Sequence, residues 1–269
     1  MNLTKLSEQN KANYEKYLSR MTKSCNKSSK RFIPLYCNGR TLDVGCGSGV
    51  LLECLSNAKG IDLNENSIQV CHIKGLNAEC KALQDVDEMF DTIIFSSVLH
   101  EFSSYDDKNP FSSKSILDAL RTAYNKLYPG GYIIIRDGVK GSQNATSINV
   151  VNRTVLDDFL QYTDDAPMFN DEPYGIRNNT ITTNSYLLKE FMYTYTWGKD
   201  SYYREVQEQF GILTKEQWKN IVVESGFKID KFETYSEEYV KYLSKYFEVN
   251  DELVRLFKDA VVFIVARKI

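Results

Sequence analysis

The chain has only two histidines, and none of its six cysteines falls in a Cys-x-x-Cys spacing. Zinc sites draw on closely spaced Cys and His ligands, so no structural zinc and no other metal centre is expected. The N-terminal stretch MNLTKLSEQNKANYEKYLSR has no apolar core of the kind that directs export. The thiols are therefore read as reduced, without a disulfide framework, and the expected location is cytoplasmic. No run of 18 apolar residues occurs, which leaves no candidate transmembrane helix and no expected membrane partner. Internal repeats and low-complexity tracts are missing as well.

What is present is a globular composition, 42% hydrophobic and 26% charged over 269 residues, enough for a sizeable core. The net charge of -3 is unevenly spread, because residues 1–40 hold nine Lys/Arg against two Glu. Residues 1–39 are expected to form an N-terminal helical segment with a solvated basic face. The alternative is contact with RNA, tRNA above all, through that charge and Tyr14 and Tyr17. From residue 40 the chain alternates. Strands are expected at 41–44, 60–63, 78–82, 91–95 and 132–136, and helices at 50–55, 66–73 and 115–127. Alternation of this kind gives an α/β fold, a doubly wound and mostly parallel sheet with helices on both faces. It breaks after Gly138. A helix at 214–226, opened by a Thr214/Gln217 capping box, and strands at 227–235 and 260–266 complete seven strands. Residues 40–269 thus read as one Rossmann-like domain. It carries an inserted, aromatic-rich lid or cap at about 141–210, after the fifth strand, and a smaller insertion at about 236–258.

The sharpest motif is Asp43-Val44-Gly45-Cys46-Gly47-Ser48-Gly49, placed between a strand and the segment after it. Glycines let the backbone turn tightly and let a ligand approach the peptide plane. The spacing departs from the dinucleotide fingerprint, because its sixth position is Val50, and no GK[ST] follows as a P-loop needs. Asp43 would repel a pyrophosphate and attract an ammonium group. Asp62 closes the next strand, where a carboxylate accepts from both ribose hydroxyls. A ligand with a ribose and an amino-acid end but no pyrophosphate is S-adenosylmethionine.

In these segments the chain resembles the class I S-adenosylmethionine-dependent methyltransferases. LDVGCGSG with GIDLN, FDTIIFSSVLHEF (90–102), LYPGGYIIIRDG (127–138) and TKEQWKNIVVESGF (214–227) follow that family's order and spacing. The resemblance implies S-adenosylmethionine as cofactor, with Asp43, Gly45, Cys46, Gly47 and Gly49 around the methionine moiety and Asp62 on the ribose. It also implies Leu63 against the adenine, Ala82 and Leu83 in the adenine region, and Ser96 at the end of the fourth strand. One departure is visible. The family often has an acid before Ala after its third strand, and here Lys81 stands there, which leaves adenine to backbone groups, Gln84 or Asp85.

Methyl transfer from a sulfonium is an in-line displacement in which the protein mainly aligns the nucleophile. Candidates for the chemistry sit at the carboxyl ends of the fourth and fifth strands: His100 as a general base, Glu101 beside it, and Asp137. Arg136 is a candidate substrate contact. From the inserted segment come Tyr195, Trp197, Tyr203 and Arg204, as a lid over the acceptor; burial of these aromatics in a core of the insertion's own is the competing expectation. No NPPY-type segment and no catalytic cysteine pair is present. The expected acceptor is a small molecule or a nucleoside, methylated on O or N. The alternatives are tRNA and a non-catalytic scaffold that keeps the cofactor. The oligomeric state stays open, with 141–210 as an alternative dimer interface.

Overall fold

The computed structural model describes residues 28–169 and 171–269. The expected N-terminal helix falls almost wholly on residues 1–27, outside the described part. Ser29–Tyr36 forms a 3-10 turn, capped by Ser28 and burying Ile33.

The alternation reads through into the structure. Strand β1 is Thr41–Val44 and β2 Ala58–Asp62, followed by helix α1, Glu65–Ile73. Asn64 caps α1 by accepting from the amides of Asn66 and Ser67. Then come β3 (Ala78–Cys80), β4 (Phe90–Ser96), α2 (Leu99–Ser104), α3 (Ser113–Asn125) and β5 (Leu127–Gly138). The helix expected at 50–55 is replaced by a turn with a short 3-10 stretch, Leu52–Cys54. β2 begins at Ala58, so the chain must return within eight residues of Gly49. Within that length Leu51 and Leu52 are buried in two different apolar clusters.

After β5 the chain leaves the sheet for β6 (Ala145–Asn149), α4 (Thr154–Asp165), β7 (Tyr174–Arg177), β8 (Thr180–Asn184), α5 (Ser185–Thr196) and α6 (Tyr202–Glu205). It returns through α7 (Lys215–Glu224), whose capping box at Thr214 and Gln217 is formed as expected. β9 is Phe227–Tyr235. α8 (Tyr239–Leu243) and α9 (Asp251–Phe257) lead to β10, Val261–Lys268.

The main sheet has seven strands in the order β3-β2-β1-β4-β5-β10-β9. β1 to β5 are mutually parallel, and β10 runs antiparallel between β5 and β9. Side chains alternate faces along each strand. Ile93, Phe95, Ile133 and Ile135 join a core with Ile116, Leu120 and Trp218 of α3 and α7. Ile94, Ile134, Phe263 and Val265 point the other way, against Ile33 and Leu51.

The two insertions merge into a single cap with its own core. β6, β8 and β7 form a three-stranded antiparallel sheet. Phe159, Tyr162, Phe169 and Phe191 from the first insertion pack with Leu243, Phe247, Leu253 and Phe257 from the second. The amide of Val151 donates to the carbonyl of Tyr246 at 2.8 Å and joins them along the backbone. α5 runs through the middle and is buried on every side from Tyr186 to Thr194, as befits a helix apolar around most of its circumference.

Candidate active site

Between the carboxyl ends of β1, β4 and β5 and the underside of the cap lies a cavity of about 560 Å³. An open α/β sheet binds ligands at this edge, where strand order reverses on either side of β1 and β4.

One wall is the glycine turn. Gly45, Gly47 and Gly49 all have positive φ, at 69°, 52° and 78°. A side chain at Gly45 would run into Val98, so the turn lies flat against the end of β4 only without one. The amide of Gly47 donates to Asp62 Oδ2 at 2.9 Å and that of Asn64 to Oδ1 at 2.8 Å, which fixes this carboxylate at the cavity rim. Asp43 is buried behind it. Burial pushes the Asp43 carboxyl up to about 7, with Lys30 pulling it down and Asp62 adding to the rise.

The opposite wall is acidic. Asp137, at the end of β5, accepts from His100 Nδ1 at 2.7 Å, from the His100 amide at 3.2 Å and from the Gly138 amide at 2.8 Å. Glu208 Oε2 stands 3.4 Å from His100 Nε2 on the ring's other side. Tyr105 donates its hydroxyl to Glu208 Oε1 at 2.8 Å. Burial opposes a charge on His100, but Asp137 and then Glu208 outweigh it and hold the imidazolium well above the usual histidine range. Asp137 is lowered in turn: burial would raise it, and the His100 charge and hydrogen bond prevail. Burial, reinforced by Glu208, pushes Glu101 up to about 8. Burial likewise pushes Glu205 up to about 7 against the pull of Arg204. Glu205 Oε1 accepts from Arg204, while its Oε2 is buried with no hydrogen-bond partner.

The structure gathers many of the sequence-derived candidates at this cavity. Asp43, Gly45, Cys46, Gly47, Asp62, Ser96, His100, Glu101, Arg136, Asp137, Trp197 and Arg204 all line it. Gly49 does not; it packs behind the turn, toward Leu76 and Cys71. Leu63 is exposed, Leu83 is buried in the main core and Ala82 caps a short 3-10 turn; none of the three is among the residues that line the cavity. Tyr195 belongs to the cap core, its ring against Phe191 and Tyr246 and its hydroxyl donating to Asp158 at 2.8 Å. Tyr203 points to solvent, 72% exposed. Arg136 faces the cavity but is already held, pairing with Glu237 at 3.2 Å and donating to Ser29 Oγ at 3.0 Å and Ser97 Oγ at 2.5 Å. Ser97 and Glu237 both have positive φ, at 59° and 53°, so the backbone bends on both sides of this clamp.

Sequence reasoning missed Glu208, Tyr193, Tyr239 and Tyr242, which also line the cavity. The aromatic density of both insertions was the available signal, and it did not reveal which rings face inward.

The sheet order, the glycine turn and Asp62 define a class: an α/β protein with a site for a nucleoside bearing an amino-acid end. The sequence matches the family described as "Methyltransferase domain" over residues 7–231. The chain belongs to that family of methyltransferase domains. It is similar to the mitochondrial ubiquinone biosynthesis O-methyltransferase of Saccharomyces cerevisiae, 42% identical over 73 residues. The match covers 22% of this chain, and the chain spans about a quarter (23%) of that relative's length. Among solved structures, an S-adenosylmethionine-dependent methyltransferase from Methanosarcina mazei is 16% identical with a TM-score of 0.49, over 88% of this chain and 97% of that one. Another from Archaeoglobus fulgidus is 18% identical with a TM-score of 0.48, over 98% of each chain. Among the described residues no helix is long and apolar enough to cross a membrane.

Proposed function

We propose that the enzyme methylates an oxygen of a small molecule held between the glycine turn and the acidic wall. The observation that carries this is the shape and chemistry of the cavity. Its 560 Å³ lie beneath a cap with a packed core, a volume in the range of sites for small ligands. Asp43 takes the ammonium of S-adenosylmethionine, Asp62 the ribose, and the Gly45–Gly47 backbone the rest of the amino-acid end. The methyl group then faces His100, Glu101 and Asp137, and the acceptor's proton leaves to a carboxylate of the acidic wall. Trp197, Tyr193, Tyr239 and Tyr242 supply aromatic surface for the acceptor and the sulfonium. The O-methyltransferase named among the relatives supports an oxygen acceptor. The tRNA alternative rests on the basic segment with Tyr14 and Tyr17, most of which lies outside the described residues, and on the aromatic insertion, whose rings pack largely into the cap core. A cytoplasmic setting is part of the same proposal, supported by the free thiols Cys37, Cys46, Cys54, Cys71 and Cys80.

The test is calorimetric titration of S-adenosylhomocysteine, followed by labelled methyl transfer to a panel of phenols and to bulk tRNA. Micromolar binding that weakens at least 100-fold in Asp62→Ala, with transfer to a phenol, supports the reading. Binding without transfer to any phenol, or transfer to tRNA alone, overturns it.

A further inference from the structure

We propose that His100, Glu101 and Glu208 bind a divalent metal ion at the acceptor end of the cavity. The inference rests on the oxygen-acceptor reading above and names the device that activates the oxygen.

One donor atom from each of the three side chains lies within 4.8 Å of the other two. Donors about 2.1 Å from one ion sit at most about 4.2 Å apart, so small side-chain rotations bring all three to ligating distance. The His100–Glu208 pair is already spaced for it. Nε2 and Oε2 are 3.4 Å apart. That is longer than a charge-assisted hydrogen bond of about 2.7–2.9 Å. It matches two donors sharing one ion at a roughly tetrahedral angle, about 3.4 Å apart.

The surroundings are those of a ligand set. A metal-bound histidine donates its other ring nitrogen to a carboxylate, which fixes tautomer and orientation. His100 Nδ1 does this with Asp137 at 2.7 Å. A ligating carboxylate is itself tethered, and Glu208 is held through its other oxygen by Tyr105 at 2.8 Å. A further observation bears on the same wall: Glu205 Oε2 is buried without a hydrogen-bond partner, so one carboxylate oxygen is left to meet a ligand. Glu101, Asp137, Glu205 and Glu208 line this end of the cavity together with His100 and Arg204.

Three protein ligands leave coordination positions open toward the cavity. An acceptor hydroxyl bound there becomes more acidic. Its proton passes to the Glu205 carboxylate and an oxygen lone pair attacks the methyl carbon. The C–S electron pair returns to sulfur, giving the methyl ether and S-adenosylhomocysteine. One imidazole with two carboxylates suits Mn²⁺ or Zn²⁺. The competing occupant is a proton on Nε2, shared between His100 and Glu208, and metal binding releases it to solvent.

The experiment is titration of metal-free protein with MnCl2 and, separately, ZnCl2, read by calorimetry and by bound metal after gel filtration. One ion per chain is expected. Affinity should fall at least 100-fold in His100→Ala and Glu208→Gln, fall about 10- to 100-fold in Tyr105→Phe, and persist in His72→Gln. Each variant is also titrated with S-adenosylhomocysteine, which reports folding and tests the cofactor reading separately. Should His100→Ala or Glu208→Gln fail to fold, Tyr105→Phe decides. Absence of binding to the wild type at millimolar metal, or affinity unchanged in the folded ligand variants, overturns the inference.

Discussion

The wall proposed for the cofactor draws on Asp43, Gly45, Cys46 and Gly47 of one short turn and on one acid at the end of β2. The wall proposed for the acceptor draws His100 and Glu101 from α2, just past β4, Asp137 from β5, and Glu205, Glu208 and several aromatics from the cap. The first wall is mostly backbone, shaped by three glycines with positive φ. The second is mostly side chains, held in place by a core that forms only when two stretches far apart in sequence meet. A wall of backbone amides needs little from distant packing, whereas a wall of converging side chains is only as firm as the layer behind it. The two walls should therefore respond differently to damage.

The largest test of that contrast lies inside the cap. Phe191 is 1% exposed, with its ring centroid 5.1 Å from Phe159, 5.4 Å from Tyr162 and 5.2 Å from Tyr195. Phe191→Ala should cost about 3–5 kcal/mol of stability, measured by urea denaturation. Hydrogen exchange should show α4, α5 and α9 losing protection before β1, β4 and β5. Affinity for S-adenosylhomocysteine should stay within threefold while methyl transfer is lost. If cofactor affinity falls in step with the cap's protection, the walls are one cooperative unit and the contrast fails.

The same contrast explains what the sequence could disclose. Strand order and the Asp43–Gly49 turn are written in local patterns: an apolar run ending in glycines, then Asp62 on the next strand. The Thr214/Gln217 capping box is equally local, and it formed. His100 and Asp137 could each be named from a strand end, but their hydrogen bond joins residues 37 positions apart. Glu208 meets Tyr105 across 103 positions. No spacing rule connects such pairs, so a cluster of His100, Glu101 and Glu208 was invisible to a search for closely spaced ligands. The aromatic insertion was legible as composition only. Its rings divide between core, as with Tyr195, and cavity, as with Trp197, according to which side of α5 and its end they occupy. The adenine region shows a different limit. Leu83 was read by its place after β3, but the main core claims it, beside Val86 and Phe90.

A second test sharpens the contrast electrostatically. Asp43 is held up to about 7 by burial, against the pull of Lys30. Its folded value is raised, so its contribution to the stability of the unliganded protein is full below about pH 4 and is lost as pH rises to about 7. Cofactor binding should run the opposite way, because an ammonium group favours the ionised carboxylate. Affinity for S-adenosylhomocysteine should rise by up to tenfold per unit between about pH 5 and 7, then level off. Calorimetry at pH 5.5, 6.5 and 7.5 checks this, and Asp43→Asn should flatten the profile. A slope that survives in the variant would move the titration to Asp62, which burial also raises.

The smallest expected effect bears on the cap's outer face. Tyr203 is 72% exposed and meets Tyr202 edge-on, with ring centroids 5.6 Å apart. Its neighbour Arg204 turns inward and pairs with Glu205 on the cavity wall. Two adjacent residues of α6 thus face opposite environments, and only one belongs to the site. Tyr203→Ala should leave S-adenosylhomocysteine affinity, kcat and KM within twofold of the wild type, and stability within about 0.5 kcal/mol. Arg204→Ala removes the donor that Glu205 Oε1 accepts from and should disturb the acceptor wall more. A large loss of turnover in Tyr203→Ala would mean that the cap's outer surface contacts the acceptor, and that the acceptor extends beyond a cavity of 560 Å³.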